Sequence, residues 1–116
     1  MVKKMEERLN SYMNRGLIDE RKLCAVGNAK RLPGGEFGFV LMCLKGHNLD
    51  IYDTDIRDNI GQLLYSVDLR QVTDLKTSTL IFNSFIKFTC QGFRYKIVDA
   101  MAKDLYNAIK EEAANK

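Results

Sequence analysis

The sequence predicts an α+β domain in which seven short antiparallel strands lie between two amphipathic helices. Three observations carry this: apolar residues recur at helical spacing at both ends, the middle of the chain alternates with period two, and glycine-bearing turns punctuate that middle. With 116 residues, 46% of them hydrophobic, the chain is long enough to bury a core of its own. Neither a disulfide framework nor a structural metal is then needed for stability.

Val2, Met5, Leu9, Tyr12 and Met13 fall on one helical stripe, and Gly16 follows Asn14-Arg15 where such a helix would stop. Residues 1–19 therefore read as a helix with its connector, and residues 20–116 as the main domain. Leu32-Pro33-Gly34-Gly35 suits a turn, because proline presets its first central position and glycine accepts positive φ at the second. It joins strands expected at about 22–31 and 36–45. Lys45-Gly46 leads into a third strand at about 47–53, and the charged loop 53–59 then interrupts the pattern.

A fourth strand is expected at about 62–69, where Leu63, Tyr65, Val67 and Leu69 alternate with polar residues. Val72 to Thr77, Ile81 to Cys90 and Phe93 to Val98 complete the set. Centring the last hairpin on Gln91-Gly92 pairs Cys90 with Phe93, Phe88 with Tyr95 and Ile86 with Ile97, which puts six apolar side chains on one face. Asp99 is the expected N-cap of a closing helix whose apolar stripe is Met101, Ala102, Leu105, Ala108 and Ile109.

The second strand is apolar on both faces, with Phe37, Phe39, Leu41 and Cys43 on one side and Val40, Met42 and Leu44 on the other. The turn at Lys45-Gly46 sets Met42 against Leu49 and Val40 against Ile51, so that side is the expected interior. The phenylalanine side then needs a cover, which the N-terminal helix or a second copy of the chain would supply. Phe37, Phe39 and Leu41 are accordingly a candidate interaction surface.

Eighteen Lys and Arg against fifteen Asp and Glu leave a net charge of +3, with the surplus in the first third of the chain. That balance speaks against a nucleic-acid binder, which concentrates far more cations on one face. Cys24, Cys43 and Cys90 form no C-x-x-C pair, and one histidine cannot complete a zinc site with them. An odd cysteine count, no apolar run long enough to span a membrane and no signal-peptide core together predict a cytoplasmic protein with reduced thiols and no cofactor.

The stretch Leu64-Tyr65-Ser66-Val67-Asp68-Leu69-Arg70-Gln71-Val72-Thr73-Asp74-Leu75, followed by Phe85-Ile86-Lys87-Phe88 and Phe93-Arg94-Tyr95-Lys96-Ile97, resembles the second half of bacterial pleckstrin-homology (PH)-like domains. The resemblance covers residues 20–112 and consists of apolar alternation without a unique signature. It implies a seven-stranded antiparallel barrel of two near-orthogonal sheets, plugged at one end by the C-terminal helix. Eukaryotic PH domains usually carry a tryptophan in that helix. Here Leu105 or Tyr106 stands instead, which favours the bacterial branch. The N-terminal helix is an addition to the pattern.

The resemblance also directs attention to the barrel mouth, where Lys30 and Arg31 match the basic pair before the first turn of lipid-binding members. With Arg57 they form a candidate anion or partner contact. Past the turn, however, stand Glu36 and apolar residues, and Asp53, Asp55 and Asp58 surround Arg57; carboxylates there would repel a phosphoinositide. The last hairpin places Lys87 opposite Lys96, with Arg94 one pair along, as a candidate basic face that Asp68 or Asp74 could neutralise. Asp53-x-Asp55 begins like a calcium loop but lacks its later ligands, and His47 reads as a hydrogen-bonded surface residue. Symmetry of the first hairpin about Pro33-Gly34 sets Cys24 across from Cys43. Nothing assembles a nucleophile, base and metal, so the sequence predicts a non-catalytic binding or self-assembly module for a protein partner or a second copy. Binding of an anionic lipid or small anion at the mouth is the alternative.

Overall fold

The computed structural model of the chain describes residues 2–55 and 59–114, with side chains from Glu6 onward. Helix α1 (Val2–Asn14) precedes strands β1 (Cys24–Arg31), β2 (Gly38–Lys45), β3 (Asn48–Thr54) and β4 (Ile60–Asp68). A single 3-10 turn at Leu69–Gln71 leads to β5 (Val72–Leu80), β6 (Asn83–Cys90) and β7 (Phe93–Val98), and helix α2 (Lys103–Ala114) closes the chain. The strands form one antiparallel sheet in the order β4-β3-β2-β1-β7-β6-β5. Its terminal strands β4 and β5 do not pair with each other, so the expected barrel is open. The physical reason is the 3-10 turn between them, whose three residues turn a corner instead of folding β5 back along β4. Asp68 caps that turn by accepting from the Arg70 N–H at 3.0 Å.

The main core fills the concave side of the sheet. Val40, Met42 and Leu44 of β2 meet Leu49 and Ile51 of β3, Ile86 and Phe88 of β6, and Ile97 of β7, all buried. Leu105, Tyr106, Ala108 and Ile109 bring α2 into this cluster. A second cluster lies on the other side of β2, where Leu41 and Cys43 are buried beneath Tyr12 and Ile18 and flanked by Leu9 and Met13. The two-faced strand is thus buried on both faces within one chain, because α1 covers the side that the sheet leaves apolar. Each such fully buried aliphatic side chain contributes about 1.5–3 kcal/mol. The cover is partial: Phe37 is 87% exposed and Phe39 42%.

Four expectations are corrected. Asp99 is not a helix cap; its φ is +64° and its N–H donates to the Ser84 carbonyl at 3.1 Å. Helix α2 starts only at Lys103, so Met101 leaves the apolar stripe and stands 60% exposed, while Tyr106 is buried with its hydroxyl donating to the Ala100 carbonyl at 2.7 Å. The run expected to open the sixth strand is a hairpin tip: β5 extends to Leu80, which pairs with Asn83, and Ile81-Phe82 form the turn. Phe93, expected on the buried face of the last hairpin, is 55% exposed.

Both hairpin registers are as the turns dictate, with Cys24 opposite Cys43 and Lys87 opposite Lys96. All three thiols are free. Burial pushes the Cys24 thiol up to about 11 despite the nearby Arg8, and pushes Cys43 up further.

Candidate functional site

The mouth beside the first turn is filled by a carboxylate. The Tyr65 hydroxyl accepts from the Gly34 N–H at 2.7 Å and donates to Glu36 at 2.8 and 3.0 Å, and a Cβ on Gly34 would fall 2.8 Å from that hydroxyl. Burial, then the bond to Glu36, raises the Tyr65 phenol above its ordinary value. In the neighbouring loop, Asp55 accepts from the Asn59 backbone and side-chain amides, both at 3.0 Å. Arg57 lies outside the described residues. Among the described residues the mouth presents the Glu36 and Asp55 carboxylates, while Arg31 lines a groove elsewhere on the sheet.

Instead, β1 carries a bulge between Ala29 and Arg31, and Arg31 pairs with Lys96 of β7. Lys96 in turn faces Lys87 of β6, and Lys87 faces Lys76 of β5. Four cations from four adjacent strands thus form one row across the outer face of the sheet, spanning about 14 Å at the usual interstrand spacing. Arg94, paired with Thr89, adds a fifth cation one step along β7.

All five are exposed, and they line a shallow groove of about 400 Å³ together with Asp74. The Lys87 ammonium sits 5.7 Å from the centroid of the Phe85 ring. On the core side of the same strands, Tyr95 stacks on Phe88 at 4.7 Å and meets Tyr65 edge-on at 5.7 Å.

The neutralising partners expected for this face are otherwise employed or outnumbered. Asp68 is bound by the Arg70 guanidinium at 3.0 and 2.9 Å, which holds its carboxyl below the usual range. Asp74 is the only carboxylate among the described residues that line the groove. No other described residue forms a salt bridge with Arg31, Lys76, Lys87, Arg94 or Lys96; the ion pairs among the described residues lie elsewhere. Like charges directly opposed cost a few tenths of a kcal/mol per pair. A row that accepts that penalty three times over needs an explanation beyond folding.

The contrast with the other charged cluster is instructive. Arg21 binds Asp19 at 2.7 Å, Glu112 at 3.1 Å and the Gly46 carbonyl at 2.9 Å, while the His47 ring bonds Glu112 at 2.7 Å. Here opposite charges alternate and tie α2 to the β2–β3 turn. That is a structural knot, and it accounts for the chain's one histidine.

The β5–β6 hairpin that supplies Lys76 and Lys87 ends in an apolar tip, with Leu80 67% exposed, Ile81 74% and Phe82 100%. No helix among the described residues is long and apolar enough to cross a membrane, and no group of three or more His, Cys, Asp or Glu among them is placed to hold a metal ion. Comparison with protein-family models and with curated proteins finds no match to this chain.

Proposed function

We propose that the chain is a non-catalytic, PH-like binding module of the cytoplasm that docks an acidic protein surface on the cation row Arg31, Lys96, Lys87 and Lys76. The strand order and the apolar face of the closing helix support the PH-like reading, and the free thiols support a reducing compartment. The cation row, which forms no salt bridge among the described residues, is the observation that carries the function. Lysine ammoniums are mobile point charges, and dispersed carboxylates on a protein surface match a flat row of them better than a compact polyphosphate, which Asp74 would repel. A symmetric self-contact through this face would set cations against cations, so it serves a partner of opposite charge.

A second reading draws on the tip Leu80-Ile81-Phe82. An apolar projection on the same hairpin as two of the cations suits an anionic bilayer, with the tip entering the interface and the lysines resting on headgroups. Titration of the full chain with polyglutamate, beside phosphatidylserine vesicles and neutral phosphatidylcholine vesicles, separates the two. The protein-partner reading expects salt-sensitive binding of polyglutamate that falls at least tenfold in Lys87→Glu and is untouched by Phe82→Ser. Binding confined to phosphatidylserine vesicles and abolished by Phe82→Ser would favour the second reading. No binding to either overturns both.

A further inference from the structure

A separate cleft of about 620 Å³ opens where the two apolar clusters meet, between α1, the start of β1 and the segment that enters α2. Its apolar floor is Leu41 with Leu9 and Val26, all of the second cluster; Leu105 of the main core lines the opposite side, and Met101 stands exposed beside it. Arg8, Lys22 and Lys103 line its rim, and Asp104 is the one carboxylate among the described residues that line it. None of these residues belongs to the cation row.

The cleft also contains a length of unpaired strand edge. β1 pairs with β2 from Cys24 onward but with β7 only from Asn28 onward. The hydrogen bond from the Leu44 N–H to the Leu23 carbonyl, 3.1 Å, fixes the phase of the β1–β2 ladder. In an antiparallel pair the bonding direction alternates residue by residue, so Ala25 and Gly27 point their backbone groups at β2, and Cys24 and Val26 point theirs into the cleft. No strand or loop among the described residues meets those groups.

We infer that this cleft takes a short extended peptide segment of alternating apolar and acidic residues, which adds as a strand to the free edge at Cys24–Val26. Three features select that occupant. The edge supplies two pairs of backbone donors and acceptors that only another backbone matches in spacing. The cleft floor takes the apolar side chains, which project to one face of an added strand, while the basic rim takes the carboxylates of the other face. A long-chain carboxylate would use the floor and the rim but leave the edge unpaired.

The test uses the full chain and an acetylated, amidated hexapeptide of alternating valine and glutamate, followed by fluorescence anisotropy and by amide exchange. The expected result is saturable binding with at least tenfold slower exchange at Cys24 and Val26. Affinity should persist in Lys87→Glu, fall at least tenfold in Met101→Trp, which plugs the mouth at an exposed position, and fall likewise in the Lys22→Glu, Lys103→Glu double variant. N-methylation of the peptide's edge-facing amides should abolish binding. The proposal is overturned by equal binding of the N-methylated peptide, by loss of binding in Lys87→Glu alone, or by binding of dodecanoate where the peptide does not bind.

Discussion

Lys87 and Lys96 stand directly across from each other on β6 and β7, and the strands on either side extend the pair with Lys76 and Arg31. Replacing one member by a carboxylate removes two like-charge contacts and creates two favourable ones. Lys87→Glu is therefore expected to raise stability by ~0.5–1 kcal/mol at low salt. Chemical denaturation checks this. A variant more stable than the parent that has lost polyglutamate binding marks the row as kept for docking; a destabilised Lys87→Glu would argue that the cations hold the sheet together.

The second core predicts a graded response between β2 and the residue that precedes it. Leu41 is 3% exposed beneath α1, so Leu41→Ala should cost about 2–4 kcal/mol. Phe37, at 87% exposure, should tolerate Phe37→Ser within about 0.5 kcal/mol. Denaturant midpoints for the two variants provide the comparison.

Gly27 lies on β1 beside the end of β7, one residue before the pairing of Asn28 with Val98. An added Cβ would lie 2.6 Å from Ile97 Cγ2 and 3.1 Å from the Val98 carbonyl oxygen. Gly27→Ala should destabilise by ~1–3 kcal/mol, since both neighbours are held in the sheet. A thermal melt suffices to measure it.

Acid should loosen the knot at the β2–β3 turn. The bond from the Arg21 side chain, helped by the Gly46 N–H, lowers the Asp19 carboxyl to about 2 from an ordinary 3.8. The depressed group favours the folded state above its unfolded value, and that contribution disappears as pH falls from about 5 toward 2. Because the pair is partly solvated, the loss should be about 1 kcal/mol, and Asp19→Asn should show a correspondingly flatter pH dependence of stability. Glu112, lowered by His47 and then by Arg21, moves in the same direction.

Much of the fold was legible because its hairpins are local. The Gln91-Gly92 turn fixes which residues of β6 and β7 face each other, and the two-sided apolar character of β2 required a cover that α1 supplies. The cation row was only half legible, for a reason of phase. Strict alternation from Val72 would point Lys76 inward, but Asp74, at φ +55°, inserts a bulge that turns it out. Lys30 does the same for Arg31 on β1, whose partner strand lies more than sixty residues away in the chain, so no local pattern announces the pairing. The apolar pair Ile81-Phe82 reads as strand because hydrophobicity alone does not distinguish a buried strand from an exposed turn. The closing helix begins late because Asp99 adopts a left-handed conformation that turns the chain away before α2 can start.

The most direct measurement is an amide chemical-shift map of the full chain during titration with polyglutamate. Signals of Arg31, Lys76, Lys87 and Lys96 should move together, along one binding curve that weakens with salt. Shifts concentrated instead at Lys30, Glu36 and Asp53, with those four unmoved, would return the site to the mouth and contradict the assignment.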